Sequence, residues 1–220
     1  MKGYKIMIRK ILCFAITGFI LGASTVMADS ATREKTPIAF SAIVQTEIAA
    51  KQDVVFKYIV PIDLASIFTG YGPLPAVSGT KNQTGAWDAA GQTRTVTFSD
   101  GNSAREMMNK YEYPRYFSYT VSDFTGAIGV FAKSANGEWW FDTNPSSGAT
   151  IVKWRYAFNA RNMFTAPVVW MITKTFWRGY MNKALMLCKT QIESGAAKTS
   201  PAQRTGVSSG APAPAGEPSR

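Results

Sequence analysis

Between residues 76 and 159 the chain is a succession of short strand-like runs, each closed by a turn signal, and a single long helical segment follows the last of them. The runs are expected at about Ala76–Trp87, Gln92–Ser99, Ser103–Tyr111, Tyr116–Phe124, Val130–Ala132 with Glu138–Asp142, and Thr150–Asn159. Asp100-Gly101, Pro114, Asn136-Gly137 and Pro145-Ser146-Ser147-Gly148 separate them. Strands joined by such short connections pair antiparallel, because a parallel partner needs a crossover of a dozen residues or more. Upstream, Ser41–Ala50 alternates as a first strand; Lys51–Val60 and Ile62–Phe68 read as two short helices, stopped by Pro61 and by the Gly70, Gly72, Pro73, Pro75 cluster. From about Asn162 to Ser194 an apolar stripe of Val169, Thr173, Phe176, Tyr180, Ala184 and Leu187 recurs at helical spacing. Trp170, Trp177 and Cys188 flank it, and Lys174, Arg178, Asn182, Lys189 and Glu193 lie opposite. The expected fold class is therefore α+β: a curved antiparallel sheet wrapped around a long C-terminal helix, leaving a gap between the layers where an apolar ligand can sit.

Within that sheet the stretch Arg94-Thr-Val-Thr-Phe-Ser-Asp-Gly-Asn-Ser-Ala-Arg-Glu106 poses a specific question. Thr93, Thr95 and Thr97 take the wet face of a strand, Val96 and Phe98 the dry face, and Arg94 falls in line with the apolar pair. A three-residue Ser99-Asp100-Gly101 loop with a left-handed glycine sets Phe98 opposite Asn102 and Arg94 opposite Glu106. Three roles are open to the pair. It can be a cross-strand ion pair at the sheet edge or cavity mouth, an anchor in which Arg94 grips an anionic head group while Glu106 orients it, or an acid–base couple.

The ends of the chain differ from its middle. Lys2, Lys5, Arg9 and Lys10, the apolar run Ile11–Gly22 and the Val26-Met27-Ala28 exit describe a secretory signal peptide over residues 1–28, cleaved after Ala28. Residues 29–40 read as an extended leader, residues 41–195 as one domain, and residues 196–220 as a disordered tail, since 19 of those last 25 residues are Ala, Gly, Pro, Ser or Thr. The formal charge of +10 falls to +6 without residues 1–28, which hold four of the 24 basic groups and none of the 14 acids. With no cluster of four Lys or Arg in residues 41–195, no nucleic-acid partner is expected. The domain holds 24 of the 28 aromatics (13 Phe, 9 Tyr, 6 Trp), enough for a core without a disulfide, and Cys188 is the lone thiol left after cleavage.

The sequence contains no histidine. That excludes Ser-His and Cys-His nucleophilic machinery and histidine-ligated zinc or iron; one cysteine makes no thiolate cluster, and no calcium-loop motif is present. No catalytic residue, metal or cofactor is assigned. Val152, Trp154, Tyr156 and Phe158 share one strand face, and so do Phe117, Tyr119 and Val121. Buried Tyr and Trp carry polar groups that want partners, so this set suits a lined pocket better than a dry core. The Gly70–Pro73 loop is either a gate to that pocket or a plain turn.

The order of elements, with "TEIAAKQDVVFKYIV" opening it, "GAWDAAGQTRTVTFSDGNSAREMM" in the middle and "ATIVKWRYAF" before the last helix, resembles the START/Bet v 1-like (SRPBCC) superfamily. The resemblance is nearest to the bacterial polyketide cyclase/dehydrase and lipid transport group. It rests on Gly85-x-Trp87, Gly91-x-x-Arg94, Asp100-Gly101, Glu106, and Thr150 with Trp154, and covers about residues 41–193. It implies a helix-grip fold with a hydrophobic cavity between the sheet and the C-terminal helix, and no single chemistry. The expected ligand-binding residues are Arg94, Glu106, Phe117, Tyr119, Trp154, Tyr156, Val169, Phe176 and Tyr180. The expected function is that of an exported, periplasmic or secreted, non-catalytic binder or carrier of a hydrophobic small molecule or lipid. A cavity enzyme of the cyclase/dehydratase type, using Glu106, Arg94 and tyrosines, is the alternative; a transient contact of the helix face and tail with a membrane or envelope partner is a third.

Overall fold

The structure, a computed structural model, describes residues 37–195. The expected signal peptide, all but the end of the expected leader, and the expected tail lie outside the described residues. The chain forms β1 (Ala39–Ile48), α1 (Gln52–Ile59), a 3-10 turn (Leu64–Ser66), β2 (Val77–Lys81), β3 (Thr93–Phe98), β4 (Ser103–Glu112) and β5 (Tyr116–Ser122). There follow α2 (Ala127–Phe131), β6 (Ala132–Thr143), β7 (Thr150–Ala160), α3 (Ala166–Ile172), a π-helical segment (Thr173–Trp177) and α4 (Arg178–Glu193), the last three forming one run. All seven strands pair antiparallel in the order β1-β7-β6-β5-β4-β3-β2. The C-terminal helix lies against one face, as the helix-grip reading expected.

Local chemistry explains most of the elements. In α1, Asp53 in the first turn and Lys57 in the last complement the helix dipole, while Val55, Phe56 and Ile59 turn inward. Pro167 stands in the first turn of α3, where a missing N–H costs nothing. Gly101 has φ +83°, and the Phe98 N–H donates to Asn102 O at 2.9 Å, so the β3–β4 turn and its register follow the sequence reading.

Three expectations are corrected. Asn136-Gly137 is not a turn: it lies in the middle of β6, a continuous strand of 12 residues, and the strand expected near Val130 is the short helix α2. A Cβ at position 137 would stand 2.2 Å from Tyr119 Cζ, so the glycine serves the ring on β5 that crosses it, not a bend. The first strand after the two short helices stops at Lys81, and Trp87 sits in a loop with φ +61°. Finally, the buried stripe of α4 runs through Tyr180, Met181, Ala184, Leu185, Cys188 and Ile192, with Leu187 half-buried. The π segment adds a residue to one turn and so rotates the face that follows it.

The space between sheet and helices divides in two. At the α1 end it is solid, with Phe56 edge-on to Tyr111, Phe117 and Phe141 and with Leu185, Met181 and Cys188 fully buried. Toward β3, α2 and α3 it is open.

Candidate functional site

The open half is a cavity of about 430 Å³, within the range of small-molecule sites. Its floor follows from strand register. One row across the sheet reads Phe117, Trp139, Trp154, with the two indoles stacked at 4.4 Å and 15°. The next row reads Tyr119, Gly137, Tyr156, and the next Arg94, Glu106, Val121, Ala135, Phe158. On β6 the side chains shrink from Trp139 to Gly137 to Ala135, while Tyr156 and Phe158 stay large on β7. Aromatic walls flanking a strand that thins to glycine and alanine leave a volume that neighbouring side chains do not fill.

Eight of the nine expected residues line this cavity: Arg94, Glu106, Phe117, Tyr119, Trp154, Tyr156, Phe176 and Tyr180. Val169 does not. It is buried beside the α2 side of the sheet, near Ile128, Phe131 and Phe158, and Met171 and Ile172 are the α3 residues on the cavity wall. Ala184 and Leu187 also stand away from the cavity, on the solid half of the helix. Trp139, Trp177 and Phe68 are also wall residues; strand alternation and helical spacing do not single them out, and Trp177 falls on the flank of the stripe.

Arg94 is the one basic side chain in the wall among the described residues. Its Nε donates to Glu106 Oε2 at 2.7 Å, with the two side chains only 6% and 10% exposed. The pair is thus buried in the sheet face, four residues and roughly 13 Å inward from Phe98 at the end of β3. The Trp87 ring covers the guanidinium, with Arg94 Cζ 4.1 Å from its centroid. The left-handed backbone at Trp87 carries the indole there, and the Gly85-x-Trp87 spacing was the one sequence sign of it. The two terminal nitrogens of Arg94 make no hydrogen bond among the described residues, and neither does Glu106 Oε1.

Tyr119 and Tyr156 stand beside the pair. Burial, then the Glu106 carboxylate, pushes the Tyr119 phenol well up, against the opposing effects of the Trp139 indole, the Arg94 charge and the Trp154 indole. Trp154 Nε1 is a buried donor with no hydrogen-bond partner among the described residues. Tyr156 is raised by burial first and by Tyr119 and Glu106 after it. Both phenols are therefore neutral donors at physiological pH, not bases.

The wall reaches the surface at Pro73, Asp100, Thr125, Ala127 and Met171, which places the mouth between the 70–75 loop, the β3–β4 turn, α2 and α3. The loop is pinned to the helix: Tyr180 Oη donates to Pro75 O at 2.7 Å and Lys183 Nζ to Gly70 O at 2.9 Å, and Tyr71 lies over Gly179.

A family model described as polyketide cyclase/dehydrase and lipid transport matches residues 40–193. The chain belongs to that family. Solved structures agree on the fold. A Thalictrum flavum norcoclaurine synthase variant in complex with a transition-state analogue aligns with TM-score 0.56 at 12% identity, over 73% of this chain and 98% of that one. A structural-genomics protein of Nitrosospira multiformis gives 0.53 at 10%, over 71% and 99%. Ginseng major latex-like protein 151 of Panax ginseng gives 0.52 at 17%, over 72% and 97%. A search of curated protein sequences finds no match. Family, fold and cavity together mark the chain as a hydrophobic-ligand-binding member of the START/Bet v 1-like superfamily.

Proposed function

We propose that the protein is an exported, periplasmic or secreted, non-catalytic carrier of a hydrophobic small molecule or lipid that bears an acidic or strongly accepting group. The observation that supports this most is an apolar cavity with, among the described residues, a single cation in its wall, whose terminal nitrogens make no hydrogen bond there. A guanidinium already fixed through Nε can still meet a carboxylate or phosphate with its outer nitrogens. Each methylene that enters the cavity contributes about 0.8 kcal/mol, so an apolar body supplies affinity while Arg94 selects its head. Tyr119 and Tyr156, held neutral, add donors to the same group.

Catalysis remains the second reading because norcoclaurine synthase, an enzyme by name, shares the fold and because Glu106 keeps one oxygen free beside two phenols. Native mass spectrometry of the purified mature protein separates the two. A carrier retains a co-purified apolar molecule and returns it chemically unchanged; Arg94→Ala weakens anionic fluorescent probes more than neutral ones. Turnover of a bound molecule that stops in Glu106→Gln, with binding intact, would establish the enzyme instead. Failure to bind any fatty-acid-like probe would end both. Export rests on residues 1–28, and intact mass of the exported protein should begin at Asp29; a product starting at Met1 refutes cleavage.

A further inference from the structure

The lip of the mouth built by α2 and residues 161–174 is the most apolar part of the described surface. Phe164 is 85% exposed, Met163 69%, Val130 61%, Trp170 52% and Met171 46%. They belong together: Arg161 Nη2 donates to Gly129 O at 2.6 Å and its backbone N–H to Phe131 O at 2.9 Å, tying the 161–165 turn to α2. Met171 is both in this patch and in the cavity wall, so the patch runs without a break into the cavity. Exposed Arg161, Lys174 and Arg178 border it. From residue 143 to residue 192 the chain has seven Lys or Arg and no Asp or Glu; of the two acids in the cavity wall, Glu106 is paired with Arg94, and Asp100 lies on the β3–β4 turn.

We propose that this lip docks on the surface of an anionic lipid bilayer, with the cavity mouth facing the membrane. Phe, Trp and Met beside bases are the side chains of an interfacial contact, the apolar ones entering the acyl boundary and the bases meeting lipid phosphates. The other occupants fit less well. A second copy seated symmetrically would set these bases against their own images. The leader of the cleaved chain enters β1 beside Ala160, at this end of the sheet, but residues 29–36 (Asp-Ser-Ala-Thr-Arg-Glu-Lys-Thr) hold no large apolar side chain to cover the patch. Residues 196–220 contain no aromatic, Leu, Ile or Met and carry Lys198, Arg204 and Arg220 against Glu217 alone, so they offer neither apolar cover nor opposite charge. A membrane at the mouth lets an apolar ligand pass between bilayer and cavity without crossing water. The proposal builds on the carrier reading, yet it can be tested apart from it.

The experiment is flotation of the mature chain with phosphatidylcholine vesicles and with vesicles that also contain phosphatidylglycerol. The chain should float with the mixed vesicles and weakly with the neutral ones. Lys174→Gln and Arg178→Gln should each lower the affinity about fivefold, and Phe164→Ser with Trp170→Ser roughly tenfold or more. All four positions are exposed, so melting temperatures should stay put, and uptake of a soluble fluorescent fatty acid without vesicles should be unchanged. Equal binding to both vesicle types, or affinities that the variants do not move, overturns the proposal. So does a concentration-dependent dimer that Phe164→Ser with Trp170→Ser dissolves, which would assign the patch to a second copy. Flotation without fatty-acid uptake would keep the docking surface and remove the carrier.

Discussion

Replacing Arg94 by alanine strips Glu106 of its partner inside the wall. Removing one member of a buried pair typically costs about 3–5 kcal/mol, because the remaining charge is left without compensation. Here the carboxylate faces a cavity large enough to admit water, so the cost should sit near the lower end, ~3 kcal/mol. At about 2–4 °C per kcal/mol for a domain of this size, the melting temperature should fall by roughly 6–12 °C. The informative partner is the double replacement Arg94→Met, Glu106→Leu. It removes both charges while keeping the bulk, and such swaps are often neutral or stabilising. The stacking of Arg94 on Trp87 is lost in both variants and contributes up to about 2 kcal/mol. The double variant should therefore recover to within ~2 kcal/mol of the wild type. Thermal unfolding followed by circular dichroism measures this, and competition between anionic and neutral fluorescent probes measures selectivity on the same samples. If the pair serves ligand recognition, the double variant is stable and has lost its preference for anionic probes. A double variant as unstable as Arg94→Ala, or one that still prefers anionic probes, would refute the reasoning and leave the pair a structural tie between β3 and β4.

Gly137→Ala should cost about 1–3 kcal/mol by scanning fluorimetry, since its Cβ would meet Tyr119 Cζ at 2.2 Å, and truncating Tyr119 in the same background should recover part of the loss. Ala184→Trp, on the solid half of the helix, should destabilise by about 1–3 kcal/mol or more without blocking the cavity. Val121→Phe, on the cavity floor, should block probe binding at a smaller loss; the reverse ranking would show that the void is elsewhere. Burial pushes the Cys188 thiol from its ordinary value of 9.0 up to about 12. The native protein should therefore resist thiol reagents at pH 8 and react with one equivalent once unfolded in urea. Because the unfolded thiol ionises first, this group's stabilisation is complete below about pH 9 and is lost as the pH rises toward 12. Rapid labelling of the native state at pH 8 would contradict its burial.

Local chemistry in the chain was sufficient to determine the β3–β4 hairpin, its register, and the meeting of Arg94 with Glu106. Period-two alternation and an Asp-Gly turn depend only on residues a few places apart, and so does the position of Pro167 in its helix. The antiparallel order and the wide apolar stripe after Asn162 were legible for the same reason. What the tertiary structure decided is where short-range signals compete with distant ones. Asn136-Gly137 carries a turn signal, but Tyr119 on β5 occupies the space above the glycine, and a ring from another strand outweighs a dipeptide preference. A stripe drawn at regular helical spacing puts Val169 on the ligand face, but Met171 and Ile172 stand there instead, and after the π segment the buried face runs through Leu185 and Cys188 and leaves Leu187 half-buried. The cavity itself belongs to no single segment. It exists because β6 narrows to Gly137 and Ala135 where β7 and the C-terminal helix keep large aromatics, and the volume between them depends on side chains that meet only after the sheet has closed around the helix.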